Sequence, residues 1–167
     1  MKVLSALATL AFAIPGVAGA QMNAPAPGNA STAAIDTEVW SVISATVVNA
    51  DIKGMAATYH PDAVVVTPGN TLPIGEMLPQ WGKSMEQMAA GGASATVDFR
   101  FSSRMDNAKT AFEVGIFKYT VTDNAGKSTS YIIPMEALLI RTDAGWRILM
   151  ERQLAPVGAE EWNKLAP

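Results

Sequence analysis

Glu136 is the residue whose setting most plainly calls for chemistry. It stands in Tyr131-Ile132-Ile133-Pro134-Met135-Glu136-Ala137-Leu138-Leu139-Ile140, a stretch that is otherwise almost wholly apolar. A carboxylate buried alone is costly, so it must be paired or protonated. Strand pairing supplies a partner. A three-residue turn at Asp143-Ala144-Gly145 sets Thr142 opposite Trp146 and Glu136 opposite Arg152. The same turn at Asn124-Ala125-Gly126 sets Val114 opposite Glu136, and a two-residue turn at Asp106-Asn107 sets Phe99 opposite Val114. Opposed residues share a face. One face then collects Phe99, Phe101, Val114 and Ile116 with Glu136 and Leu138, and with Ile148, Met150 and Arg152. An apolar surface with one opposite-charge pair has the composition of a ligand pocket. Glu136 is the candidate acid or base and Arg152 its anchor; a purely structural cross-strand ion pair, or an exposed edge glutamate, fits the same pattern.

Other residues carry weaker signals. Tyr59, Trp81 and Trp40 fit the core, and equally the floor of a pocket. His60 precedes a proline and reads as a solvated turn histidine, and Asp62 as holding its own turn. Arg100 and Glu113 fall opposite each other on the other face, as a surface or dimer pair. With no cysteine, one histidine and no close carboxylate cluster, the chain offers no metal site. No phosphate-binding glycine loop or G-x-S-x-G elbow appears, and no cofactor is implied.

These side chains need a scaffold. Ile35, Val39, Val42, Ile43, Thr46, Val47 and Ala50 recur at helical spacing and predict a helix over 35–49. Asp51 caps a second short helix running through Thr58. Ala63–Thr67 is a β-branched strand, Pro68-Gly69-Asn70 a turn, and Leu72-Pro73-Ile74 a brief return strand. Leu78, Trp81, Met85 and Met88 form the apolar stripe of a helix over 76–90, stopped by Gly91-Gly92. Four long strands follow, near 94–104, 110–122, 128–141 and 146–154, joined as hairpins into an antiparallel meander. Nine methionines suit a soft, adaptable cavity.

The chain begins with signals of a different kind. Met1-Lys2 is followed by an apolar run from Val3 to Ile14, then Pro15-Gly16 and the small-x-small sequence Ala18-Gly19-Ala20. This is the pattern of a secretory signal peptide over 1–20, cleaved before Gln21. The run is shorter than the roughly 20 residues that span a bilayer. Residues 21–34, rich in Pro, Gly, Ala, Asn and Ser, read as a disordered linker. The expected domain is 35–156, with 157–167 a C-terminal tail. A periplasmic or secreted location is expected, with no membrane attachment after cleavage. The formal net charge is −3, and no cluster of Lys and Arg offers a nucleic-acid surface.

The order helix, helix, two short strands, helix, four long strands resembles the nuclear transport factor 2-like (SnoaL-like) superfamily. The resemblance rests on Asn49-Ala50-Asp51-Ile52-Lys53-Gly54-Met55, on Tyr59-His60-Pro61-Asp62-Ala63-Val64-Val65-Val66-Thr67-Pro68, on Pro73-Ile74-Gly75 with Trp81, and on Arg141-Thr142-Asp143-Ala144-Gly145-Trp146-Arg147-Ile148. It implies an α+β cone: a curved antiparallel sheet wrapped around three N-terminal helices, its open end a pocket. The superfamily includes ketosteroid isomerase, scytalone dehydratase, limonene epoxide hydrolase and polyketide cyclases, so the fold alone does not set the reaction. Matched to the isomerase, the base carboxylate falls on Thr67, the oxyanion-hole tyrosine on Ile43 and the protonated aspartate on Leu138. None of the three supplies a base or a donor, so steroid isomerisation by that mechanism is disfavoured.

The resulting expectation is an exported domain binding a small apolar ligand, with Glu136 and Arg152 as polar anchors and Trp81, Tyr59, Trp40, Phe99, Val114, Leu138 and Met150 lining the site. Its rivals are an isomerase, dehydratase or cyclase using Glu136 as general acid or base, and a dimeric interaction module. A homodimer is expected through the outer sheet face, assigned to Glu113, Gly115, Phe117, Tyr119, Met135, Ala137 and Leu139.

Overall fold

The computed structural model describes residues 30–165; the expected signal peptide and most of the expected linker lie outside them. Residues 30–34 begin a helix instead of ending a linker. That N-terminal helix runs over 30–49, α-helical at Ala30–Ile35, widened to a π-helix at Asp36–Trp40, and α-helical again at Ser41–Asn49. Ile35, Val39, Ile43 and Val47 recur every fourth residue and all are buried, together with Trp40. Ala50 stops the helix in the left-handed region at φ 52°. Asp51 then caps the short helix Ile52–Ala56, its carboxylate accepting from the Gly54 N–H at 2.9 Å. This helix ends before Thr58, because the chain is already extended at Tyr59.

The strands are β1 (Tyr59–Thr67), β2 (Asn70–Pro73), β3 (Ser94–Asp106), β4 (Thr110–Thr122), β5 (Ser128–Thr142) and β6 (Gly145–Gln153). They form one sheet in the order β2-β1-β6-β5-β4-β3. All neighbours are antiparallel except β1 and β6, which run parallel. The helix Ile74–Ala90 and the N-terminal helix fill the concave side, and their buried residues share one core with Val65, Met135, Ala137, Leu139, Trp146 and Ile148. The architecture is the α+β cone expected.

Two register details decide which side chains face inward. First, the last hairpin turns at Asp143-Ala144, with Thr142 opposite Gly145 and Arg141 opposite Trp146. Gly145 adopts φ +107°, a conformation that side-chain-bearing residues avoid. A bulge at Leu149 then restores the pairings Leu138–Met150 and Glu136–Arg152. Glu136 does oppose Arg152 as expected, but through a shorter turn plus a bulge. Second, the β3–β4 loop is longer than two residues: Asp106 pairs with Ala111, and a shift between Phe101 and Ser103 puts Phe99 opposite Phe117. Phe99 therefore does not face Val114, and Arg104, not Arg100, opposes Glu113.

On β4 and β5 the faces are the reverse of those expected, whereas Phe99, Phe101 and Ile148 pack into the core as expected. Glu113, Gly115, Met135, Ala137 and Leu139, assigned to an outer surface, are buried on the concave side, and Phe117 and Tyr119 point the same way. Val114, Glu136, Leu138, Met150 and Arg152 lie on the convex face. The C-terminal segment is also structured. The helix Ala159–Lys164 lays Trp162 on Ile116 and Ile132 of the convex face. Arg100 stacks 4.3 Å over the Trp162 ring and donates to the carbonyls of Trp162 and Leu165 at 3.0 Å each.

Candidate functional site

The open end of the cone holds a cavity of about 350 Å³, within the usual range for small-molecule sites. Three helices and five of the six strands contribute to its wall. Trp40, Ile43 and Val47 come from the N-terminal helix, Met55 from the short helix, and Trp81, Ser84, Met85 and Met88 from the helix Ile74–Ala90. The sheet adds Tyr59, Val97, Phe99, Phe117, Tyr119, Tyr131 and Ile133, and, from β6, Glu151 and Gln153. All three tyrosines of the chain and two of its four tryptophans are in this wall.

Of the residues expected to line a site, Trp81, Tyr59, Trp40 and Phe99 do so. Glu136, Arg152, Val114, Leu138 and Met150 do not. Glu136 and Arg152 pair at 3.1 Å on the convex face, with side chains 28% and 48% exposed. They are a solvated cross-strand ion pair, outside the cavity.

The acid of the cavity is Glu151, 6% exposed. One of its oxygens accepts from the Tyr59 hydroxyl at 2.5 Å, and the other from the Gln153 side-chain amide at 2.6 Å. Burial pushes the Glu151 carboxyl above its ordinary range, and the two donors only partly offset this. Burial likewise raises Tyr59, helped by the neighbouring Glu151. Glu151 was hidden in the sequence because Trp146, Ile148 and Met150 alternate as one apolar face, which leaves residue 151 on the polar one. The bulge at Leu149 shifts the phase, so that Glu151 and Gln153 join Trp146 and Ile148 on the concave side.

A second buried acid braces one wall. Glu113, 1% exposed, accepts from Trp40 Nε1 at 2.6 Å and from Arg104 Nε at 2.8 Å. Arg104 also reaches Asp36 with both terminal nitrogens, at 2.6 and 3.1 Å. The π-helical turn carries both Asp36 and Trp40, and such widened turns recur at functional sites. The network fixes the Trp40 ring against Phe99, 4.8 Å between centroids. Burial raises the Glu113 carboxyl even though Arg104 opposes the shift. Among the described residues, no group of three or more His, Asp or Glu side chains could hold a metal ion.

The element order, the parallel β1–β6 contact and the helix-filled concave sheet together define the class: this is a nuclear transport factor 2-like cone. Solved structures agree at the level of fold. A conserved protein from Planctomyces limnophilus superposes with a TM-score of 0.60 at 18% identity, over 75% of this chain and 97% of that one. A ketosteroid isomerase-like protein from Erwinia carotovora atroseptica gives 0.56 at 18% identity, over 78% and 98%. A nuclear transport factor 2-like superfamily protein from Salmonella enterica serovar Typhimurium gives 0.55 at 12% identity, over 71% and 87%. The sequence matches no protein-family model and no curated protein.

Proposed function

We propose that the chain is an exported domain that binds a small, largely apolar molecule in the open end of the cone. The observation that carries this reading is the cavity itself: about 350 Å³, walled by aromatic rings and methionines, with a single buried carboxylate at Glu151. A core evolved only for packing leaves few voids larger than a water molecule. Export is supported by the charged start, short apolar run and Ala18-Gly19-Ala20 of the sequence. A homodimer through the convex face is supported by the half-buried Val64, Val66, Val114, Leu138 and Met150, which surround the Glu136–Arg152 pair.

The test is native mass spectrometry of the purified chain followed by thermal-shift screening with apolar compounds, run beside Ser84→Trp. Ser84 lies in the cavity wall yet is exposed, so a large ring there fills the entrance with little strain on the core. Hits that stabilise the wild type and are lost in Ser84→Trp support the reading. Their absence, or equal stabilisation of both proteins, overturns it.

The isomerase, dehydratase or cyclase reading survives only if its acid moves from Glu136 to Glu151. The observation in its favour is the raised Glu151 carboxyl in contact with the Tyr59 hydroxyl, since perturbed acids gather at active sites.

A further inference from the structure

The polar end of the cavity has a definite chemical bias. Among the described residues, Glu151 is the only acid or base lining the cavity apart from the three tyrosines, and no Lys, Arg or His lines it. The arginine next to it in β6, Arg152, faces the opposite side and is engaged with Glu136. Tyr59 and Gln153 both direct their donors at the Glu151 oxygens. The Tyr59 hydroxyl and one N–H of the Gln153 amide are thereby committed, while a carboxylate has about four acceptor sites and only two are filled. A ligand group meeting this end therefore finds open acceptor sites on Glu151, whose ionised form a cation would favour. Beside it stand ring faces: Tyr59 and Trp81 are 6.1 Å apart between centroids, and Tyr119 and Tyr131 complete the wall on the sheet side.

From this arrangement, and resting on the pocket reading above, we propose that the cavity recognises a hydrophobic organic cation: an ammonium group on an apolar skeleton, its N–H donors or methyl groups against Glu151 and its charge flanked by the Tyr59 and Trp81 rings. A buried carboxylate without a cation is expensive, and an ammonium is the opposite charge that offsets it. Aromatic faces within about 6 Å of a cation add to the attraction, more so once it is desolvated. A neutral ligand gains no such charge pairing, and an anion is opposed by the ionised form of Glu151.

Binding is coupled to protons. Burial holds the Glu151 carboxyl above its ordinary range, and a bound ammonium favours its ionised form, so binding releases a proton and tightens as pH rises toward neutrality. Tyr59 and Tyr119, both raised by burial, keep their protons through this range. Tyr131 also faces the cavity. His60, next to Tyr59 in β1, lies 3.7 Å from Asp62 and is outside the wall.

The experiment uses the full chain and three probes with one skeleton: phenylbutylamine, phenylbutanol and phenylbutanoate. Calorimetry at about pH 7.5 is expected to give an amine affinity about tenfold or more above that of the alcohol, with the carboxylate weakest. Glu151→Gln should bring the amine down to the level of the alcohol, leave the alcohol nearly unchanged, and remove the rise in amine affinity between about pH 5 and pH 7.5. Because the ranking within the wild type is itself decisive, the test does not depend on the variant folding. Equal or tighter binding of the alcohol or carboxylate overturns the cation assignment and leaves the pocket reading standing. Binding of none of the three overturns both.

Discussion

Replacing Arg104 by methionine isolates the energetics of the buried acid network. In the intact protein Glu113 is 1% exposed and has two partners, Trp40 Nε1 at 2.6 Å and Arg104 Nε at 2.8 Å. Only Arg104 is charged. Methionine keeps much of the side-chain length and its packing near Phe101, over which the guanidinium sits at 4.2 Å, but leaves the carboxylate with one neutral donor. Breaking a buried pair in this way costs about 3–5 kcal/mol, or a fall in Tm on the order of 10 °C for a domain of this size. Proton uptake limits the loss. The Glu113 carboxyl is already raised by burial, and Arg104 is the main influence holding it down. Without Arg104 the folded state binds this proton more tightly than the unfolded chain does, so stability falls as pH climbs above the ordinary carboxylate range. Denaturant titrations of wild type, Arg104→Met and Arg104→Met/Glu113→Gln at about pH 5 and pH 7.5 test this. The single variant should lose most at the higher pH, and the double variant should recover more than half of that loss. A loss below about 1 kcal/mol at pH 7.5, or one equal at both pH values, refutes the reasoning.

Three further outcomes follow from the same geometry. The raised Glu151 carboxyl makes wild-type stability fall with rising pH above the ordinary carboxylate range, and Glu151→Gln should flatten that slope in thermal melts from about pH 5 to pH 8. Gly115→Ala puts a methyl group onto the Arg100 carbonyl oxygen and the Phe101 ring, where β3 bulges, and should cost about 1–3 kcal/mol in chemical denaturation. Glu136→Gln breaks only a half-exposed pair, so its stability should stay within about 1 kcal/mol of wild type, and its ligand hits should be unchanged.

Secondary structure was largely legible because its signals are local. The fourfold spacing of Ile35, Val39, Ile43 and Val47, the Asp51 cap and the turn residues of the β4–β5 hairpin each act within a few residues. The pairing of Val114, Glu136 and Arg152 was legible too. What the sequence could not assign was which face of the sheet meets the helices. In β5 both faces are apolar, Met135, Ala137 and Leu139 on one and Pro134, Leu138 and Ile140 on the other, so alternation gives no direction. The convex residues are apolar in part because Trp162 of the C-terminal helix covers Ile116 and Ile132. The bulge at Leu149 moves Glu151 inward, and the one between Phe101 and Ser103 aligns Phe99 with Phe117. A bulge adds a residue with no compositional mark, and it is there that pattern reading lost the acid of the site.

The two buried acids of this cone are unequally provided for, and the inequality bears on function. Glu113 has a guanidinium, a second carboxylate to balance that guanidinium, and an indole donor; every charge in that group has an opposite neighbour. Glu151 has two neutral donors and no cation, in a wall of rings and thioethers. If Glu151 served only the fold, a glutamine or a hydrophobic residue of similar volume would satisfy the position at lower cost. Its carboxylate is a local expense that packing does not require, and such expenses gather where a ligand or a reacting group makes use of them. The Glu113 network holds the Trp40 wall in position, while Glu151 is the carboxyl that wall encloses without a cation beside it. A purely structural origin for Glu151 predicts that Glu151→Gln leaves ligand ranking unchanged; a functional one predicts that it alters the ranking, while Glu136→Gln, outside the cavity, does not.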